Sequence, residues 1–292
     1  MRVREYLRSV LRSLRGHDVA LHAAAVTFYS GVAVVPVALL TIRLAGLVAG
    51  PGRVRGATGP VIAAMPDRLG ADRATGVLLE AGLAMSPLLA FLALLPATWY
   101  GEGLRRAFSS LAQPARPPAG WRGRLLILPL LSAGPVLLLG LLAVLPAAAG
   151  LLGRGGWHSV AAVLVSFLAV WLALSVMLIW VYRVVGPVRA GWRASLLGGA
   201  FTAANLSGFA HGFVLFWSLP LDLGVPFGGL DLVGAVVAVG LWLYLLHTLV
   251  LVGYAATLQL DRSIARGVPE MQSAESTNGR TVDPAAHGPA GS

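Results

Sequence analysis

Six stretches of the chain contain no Asp, Glu, Lys or Arg, and the charged residues lie in the segments between them. Each stretch has at least 20 residues, and about 20 apolar residues in a helix cross a hydrocarbon core roughly 30 Å thick. Peptide groups in that core must hydrogen-bond within their own segment, so we expect these stretches to be helices. The pattern predicts an all-α integral membrane protein with six transmembrane helices, at about 19–46, 78–101, 125–152, 157–182, 194–220 and 232–260.

The segments outside the spans carry three different patterns. In residues 1–17, apolar residues recur at helical spacing and Arg takes the other face, which predicts an amphipathic cytoplasmic helix. This N-terminal helix either is interfacial, lying in the headgroup layer, or packs on the bundle. After the first span, an apolar stripe predicts a short amphipathic helix at the outer end, through Val61, Ile62, Met65 and Leu69. Residues 18–262 are the transmembrane domain, and residues 263–292, rich in Pro, Gly, Ser and Thr, are predicted to be a disordered cytoplasmic tail.

The composition of the chain agrees with a membrane location. Of its 292 residues, 57% are hydrophobic and only 12% are charged, whereas about a quarter of the residues of a soluble domain are charged. The mean hydropathy is +0.78. The apolar content excludes a soluble enzyme and a disordered chain, and the absence of Cys excludes a disulfide scaffold.

The positive charges indicate how the helices are oriented. All 22 basic residues are Arg; with the N-terminus inside, 16 of them fall in inner segments and five in outer segments. The positive-inside rule therefore places both termini in the cytoplasm, as expected for a multi-pass membrane protein. Because the net charge of +10 is divided among short clusters between apolar stretches, we expect the inner Arg clusters to bind anionic lipid headgroups, and we do not expect a nucleic-acid partner.

The sequence contains few of the residue patterns that enzymes use for catalysis. The chain has no Cys, its six His residues lack the spacing of metal ligands, and it contains neither a phosphate-binding Gly-rich loop nor a GxSxG motif. We therefore expect no catalytic residues, no metal and no cofactor, and we predict that the protein is not an enzyme.

Polar residues inside the spans are better candidates, because burying them in lipid is costly unless they are paired or face water. His211 and Asn205 lie within the fifth span. Small and polar residues recur there every four positions, at Ser195, Gly199, Ala203, Ser207 and His211. This stripe is either a seam where another helix packs closely or one wall of a water-facing groove. His247, near Tyr244 and Trp242 in the last span, presents the same choice.

Arg43 lies at the outer end of the first span. It can snorkel toward the headgroups, or it can attract the anionic headgroup of a substrate. Prolines in the first three spans, such as Pro36, Pro87 and Pro96, can kink their helices and leave room for a cavity. We predict a groove contributed by the first, fifth and sixth spans, with Arg43, Asn205 and His211 as its substrate-binding residues.

Several motifs occur in the order found in one bacterial family. The segment 18–30 (DVALHAAAVTFYS), followed by Val35 and Pro36, resembles the first-helix signature of the YihY/BrkB family of inner-membrane proteins. Residues 99–106 (WYGEGLRR) look like the inner loop of that family, and segments around 182–200 and 227–253 resemble its last two helices. The resemblance covers about residues 18–261. The chain departs from the family at Tyr254-Ala255, where many relatives have Ala-Glu.

The resemblance implies a multi-pass protein of the bacterial inner (plasma) membrane, with six helices and both ends in the cytoplasm. It also implies transport or handling of lipid-like or other anionic envelope material. Three functional hypotheses follow. The first is such a transporter, and the second is a structural or scaffold membrane protein whose polar residues serve helix packing alone. The third is a membrane-bound nuclease, because some relatives have been labelled ribonuclease BN, although this sequence shows no nuclease motif.

Overall fold

A computed structural model describes residues 3–63, 71–114, 121–152, 156–219 and 221–278. Met65 and Leu69 of the predicted outer stripe, and residues 279–292 of the predicted tail, lie outside the described residues. Within the described ranges the chain is helical, with a π-helical turn at Val181–Val185 and a short 3-10 turn at Val225–Phe227. The α-helices in these ranges are α1 (Val3–Leu14), α2 (Val19–Ala49), α3 (Pro51–Ala63), α4 (Ala71–Leu83), α5 (Pro87–Ala112), α6 (Trp121–Leu152), α7 (Trp157–Trp180), α8 (Trp192–Ser218) and α9 (Asp231–Asn278).

Four of these helices are long and apolar enough to cross a membrane on their own: α2, α6, α7 and α9. Helices α4 and α5 pass the same test only together, as a pair bent by 120°. Helix α8, which corresponds to the predicted fifth span, is not among the candidates, since polar residues such as Thr202, Asn205 and His211 interrupt its apolar run. Length and apolarity thus support four spans, or five with the bent pair, against the six predicted.

The predicted second span, 78–101, is not one straight helix. Helix α4 ends at Leu83 and α5 begins at Pro87. The Ser86 hydroxyl accepts a hydrogen bond from the Leu89 N–H at 3.3 Å and so caps α5, whose first residue, Pro87, needs no N–H partner there. A proline also disfavours the helical conformation at the residue before it, which accounts for the break. By contrast, Pro36 and Pro96 lie inside continuous helices.

Helix α5 extends well past the predicted span, to Ala112. Residues 99–106, which resemble an inner loop, are therefore helical. This difference matters for function, because a helix presents successive residues to different neighbours every 100° or so, whereas a loop does not fix their directions.

The six described helices with more than 20 residues form a ring, in which each helix packs antiparallel to the next long helix along the chain. Gly101 of α5 lies against Gly123 of α6, and the Trp180 Nε1–H of α7 donates to Leu126 O of α6 at 2.9 Å. The same antiparallel order continues through α8 and α9, and contacts between α2 and α9 close the ring. At one end of this ring, Gln113 hydrogen-bonds to His17, and the Gly191 N–H donates to Asp261 Oδ1 at 2.9 Å.

Helix α1 lies at that same end, packed on α9. The Tyr6 hydroxyl donates to Ala256 O at 2.9 Å, Val10 is buried, and Leu7 and Leu11 are exposed. Partial burial raises the pKa of the Tyr6 hydroxyl. The two alternatives for this helix are therefore compatible: one stripe packs on the bundle and another apolar stripe remains free to enter a headgroup layer.

The two ends of the chain differ in how they match the prediction. The start of α1 and the part of α9 around residue 256 lie at one end of the bundle, as two cytoplasmic termini require; which side of the membrane this end faces stays a prediction. The tail was expected to be disordered from residue 263, but α9 continues to Asn278. Ile264 packs against the core, which extends the helical packing past the expected boundary.

Candidate functional site

A cavity of about 420 Å³, which we call the central cavity, lies among α2, α5, α6, α7, α8 and α9. Each of these helices contributes apolar side chains to its wall, among them Val37, Leu104, Leu130, Leu174, Ala210 and Leu246. Its polar groups come from Ser30, Tyr100 and His247. The volume falls within the range of small-molecule binding sites, and the wall suits an apolar ligand with one polar contact.

His247 of α9 is buried at this cavity, and both of its ring nitrogens have partners. Nδ1 lies 3.1 Å from Thr27 Oγ1, and Nε2 lies 3.2 Å from the Tyr100 hydroxyl. The Thr27 hydroxyl donates its single hydrogen to Ala23 O at 2.8 Å, so it can only accept from the imidazole. Nδ1 of a neutral His247 therefore carries the proton, and the Tyr100 hydroxyl donates to Nε2. This chain of hydrogen bonds connects α2, α5 and α9 at the cavity wall.

Two residues along α5 from Tyr100, a buried carboxylate connects α5 to α6. Glu102 is 7% exposed. It accepts a hydrogen bond from Arg106 Nη2 at 2.5 Å and another from Arg124 Nε. The Arg124 guanidinium also lies over the Trp99 ring, 5.8 Å from its centroid. Because burying a lone carboxylate is costly, the two Arg partners account for its presence between the helices.

A second cavity, also about 420 Å³, opens where α5, α6 and the end of α7 meet. We call it the basic pocket, because Arg105, Arg122 and Arg189 line it together with Trp121. Arg105 is buried, and its Nη1 donates to Val185 O at 2.6 Å. Val185 ends the π-helical turn, so no following helical turn offers an N–H group to its carbonyl. Arg122 and Arg189 are exposed. Within the described part of the chain, no carboxylate lines this pocket.

An aromatic cluster lies beside the basic pocket. The rings of Phe108 and Tyr254 stack at 4.1 Å between centroids, and Tyr182 packs against both. The Tyr182 hydroxyl donates to Val250 O at 2.8 Å. Tyr254, where the sequence departs from the family that it resembles, donates to Val188 O at 3.2 Å. At this position an aromatic side chain fills the core of this protein.

The structure does not bring the three predicted binding residues together. Arg43 donates from Nη1 to Leu83 O at 3.1 Å, at the end of α4. This contact satisfies a carbonyl at a helix C-terminus, where a positive charge is favourable. Arg43 thus stabilises the bend between α4 and α5, and it is not among the side chains that line the central cavity.

Asn205 and His211 lie on different faces of α8. The Asn205 amide donates to Phe201 O in its own helix and faces an open groove beside Trp242 of α9. His211 has Ser207 O at 2.8 Å from Nδ1, and the Ser166 hydroxyl of α7 at 3.1 Å from Nε2. Neither side chain lines the central cavity; α8 reaches it through Leu206 and Ala210.

The small-residue stripe of α8 is a packing seam, one of the two alternatives the sequence left open. Ser195, Ala203 and Ser207 are fully buried. The Ser207 hydroxyl donates to Phe167 O of α7 at 3.1 Å, and a Cβ on Gly199 would lie 2.8 Å from Ile179 Cγ1 of α7. The three helices of the predicted groove, α2, α8 and α9, border the central cavity together with α5, α6 and α7, and none of the three predicted binding residues lines it.

Sequence reasoning missed the residues that do line the two cavities. A signal was present in residues 99–106, where a Glu and two Arg follow an apolar helix. Read as a loop, that segment gave no directions for its side chains. Read as a helix, it directs Tyr100 and Leu104 to the central cavity, Glu102 to α6 and Arg105 to the basic pocket.

Comparison with known proteins gives a single result. A search of the curated proteins and a search of the solved structures found no match to this chain. The family model described as "Virulence factor BrkB" matches residues 10–277, which is most of the chain. The match includes α2 to α8 and most of α9, and with them both cavities. The chain therefore belongs to the BrkB virulence factor family.

Proposed function

We propose that this protein transports or otherwise handles lipid-like, anionic material of the cell envelope, and that it does so without catalysing a reaction. The observation that carries the proposal is the central cavity. Each of the six helices contributes apolar side chains to its wall and its volume is about 420 Å³, which suits part of an acyl chain and does not suit a hydrated ion or a sugar. Its partners are then membrane lipids and not nucleic acid, with the inner Arg clusters contacting anionic headgroups.

We place the chain in the inner membrane as a multi-pass protein whose six long helices all cross the bilayer, with both termini in the cytoplasm. The antiparallel ring supports this count. Helix α8 packs between α7 and α9, and its polar residues Ser207 and His211 hydrogen-bond to α7 inside the protein. The excess of Arg in the inner segments supports the orientation. Two reporters are fused in turn to the last residue, one active only in the cytoplasm and one active only on the outer side. Activity of the first alone is expected, and activity of the second alone contradicts the orientation.

Transport is tested by a substitution that fills part of the central cavity. The Ala210→Leu variant places a larger side chain in the cavity wall, and Ala204→Leu is its control on the same helix, facing the open groove beside Asn205. Purified protein is reconstituted into vesicles with an acyl-labelled fluorescent phospholipid, and dithionite quenching measures exchange between leaflets. We expect wild type and Ala204→Leu to accelerate exchange, and Ala210→Leu to lose most of that acceleration.

The alternative is a scaffold protein without transport. It is favoured by one observation, namely that Arg43, Asn205 and His211 all hydrogen-bond within the protein. Under this alternative, wild-type vesicles exchange lipid no faster than protein-free vesicles. Single Cys residues at Leu206 or Ala210, introduced into the Cys-free chain, would then be protected from water-soluble maleimide on both sides, whereas labelling from both sides favours transport.

A further inference from the structure

The basic pocket concentrates positive charge without a matching negative one. Arg105, Arg122 and Arg189 line it, and the described residues provide no carboxylate in its wall. The nearby Glu102 is already paired with Arg106 and Arg124. Arg122 lies close enough to Arg105 for their charges to repel. We infer that this pocket binds the phosphate group of an anionic phospholipid headgroup.

Arg105 provides an independent observation that points to a ligand. The residue is 7% exposed, and its Nε–H is buried without a hydrogen-bond partner in the described part of the chain. Its Nη1 is used by Val185 O and, more weakly, by Gly186 O at 3.4 Å. A buried donor without an acceptor is costly, and an oxyanion in the pocket would relieve both this cost and the repulsion among the three guanidinium groups.

The pocket lies next to the central cavity on three structural elements. On α5, Leu104 lines the cavity and Arg105 lines the pocket. On α6, Leu130 lines the cavity and Leu126 lines the pocket, one helical turn or about 6 Å away. In the π-helical turn, Val181 and Val184 divide in the same way. An apolar site beside a cationic site matches an amphiphile with an acyl chain and a phosphate.

Both parts of this arrangement suit a phospholipid at the inner membrane surface. Basic pockets between transmembrane helices on the cytoplasmic side are a known way of holding anionic headgroups. Guanidinium groups donate two parallel hydrogen bonds to phosphate oxygens, and Trp121 at the rim can lie at headgroup level. The inference rests on the proposed function for the acyl chain alone, and adds to it the chemistry of the headgroup.

The test compares two double variants that each remove two positive charges. Arg122→Gln/Arg189→Gln changes the exposed side of the pocket and leaves Arg105 in place. Arg53→Gln/Arg73→Gln changes two exposed Arg residues of α3 and α4, in the segment predicted to lie on the outer side. The full chain in detergent is titrated with dioctanoyl phosphatidylglycerol, dioctanoylglycerol and inorganic phosphate, and binding is followed by native mass spectrometry. Size-exclusion chromatography and thermal melting establish that each variant is folded.

We expect wild type to bind dioctanoyl phosphatidylglycerol more tightly than dioctanoylglycerol. The pocket variant should bind the phospholipid roughly 30-fold more weakly, with no change for dioctanoylglycerol, and the Arg53→Gln/Arg73→Gln variant should behave like wild type. An equal loss in both double variants would overturn the inference, because the effect would then come from net charge. Inorganic phosphate competing at the same concentration as the lipid would overturn the lipid assignment in favour of free phosphate.

The outcomes separate this inference from the proposed function. If Ala210→Leu weakens both lipids while the pocket variant weakens neither, the headgroup site is wrong and the cavity still binds acyl chains. If the pocket variant loses phospholipid binding but wild-type protein does not exchange lipid between leaflets, the headgroup site stands and transport is wrong.

Discussion

The contact between Gly101 of α5 and Gly123 of α6 fixes the distance between the two helices that carry Glu102 and the basic pocket. A Cβ on Gly101 would lie 2.3 Å from Gly123 O and 2.8 Å from Ile127 Cβ. A Cβ on Gly123 would likewise lie 2.2 Å from Gly101 O. The two backbones therefore touch directly, which is possible only because both residues lack a side chain.

We predict that Gly101→Ala destabilises the protein. Ordinary contact begins at 3.4 Å, so the new methyl group is about 1 Å too close to a backbone oxygen, which cannot rotate away as a side-chain tip could. Overpacking of this kind costs about 1–3 kcal/mol. In a helix, Ala is also favoured over Gly by about 1 kcal/mol, and this gain must be subtracted. Gly140→Ala on α6 supplies the correction, because a Cβ there meets nothing within 4 Å.

The assay is unfolding of the purified variants by dodecyl sulfate in mixed micelles, followed by circular dichroism. The difference between the two variants isolates the clash, and we expect Gly101→Ala to be less stable than Gly140→Ala by about 1–3 kcal/mol. Gly101→Ala should also weaken phospholipid binding, because it moves α5 relative to α6. Equal stability of the two variants would refute the close backbone contact.

Two further predictions concern the polar residues. Glu102→Ala leaves Arg106 and Arg124 without their shared carboxylate. Because these Arg side chains are 64% and 38% exposed, water replaces part of the lost interaction, and we expect a loss of about 1–2 kcal/mol in the same unfolding assay. An unchanged stability would contradict the ion pairs of the buried Glu102 carboxylate. Arg43→Ala and Asn205→Ala should leave leaflet exchange at the wild-type rate, since neither side chain lines the central cavity, and a strong loss of exchange in either one would restore the groove predicted from the sequence.

Two differences between the prediction and the structure have a signal in the local sequence. Asn205 and His211 are six residues apart, and at about 100° per residue their side chains point about 120° apart around a helix. The four-residue stripe that contains His211 therefore cannot share one groove wall with Asn205. The break before Pro87 also has a local signal, because Ser86-Pro87 is a favourable helix start.

Other features had no local signal. Nothing in the neighbourhood of Arg43 indicates that it would meet Leu83 O, which lies 40 residues away. The tautomer of His247 depends on a threonine of α2 and a tyrosine of α5, which are 220 and 147 residues away along the chain. Such contacts follow from which helices become neighbours, and a single sequence does not contain that information explicitly.

The residues of each segment alone predict a chain that is helical, apolar enough for a membrane, and charged in the segments between its long uncharged stretches. These properties are local, because transfer of a segment from water into lipid depends on the residues of that segment alone. Which side chains face each other depends on how the helices pack. Packing creates the cavity among six helices, the three Arg residues around one pocket, and the backbone contact at Gly101 and Gly123. Close packing is a property of pairs of surfaces, so neither helix of a pair specifies it without the other.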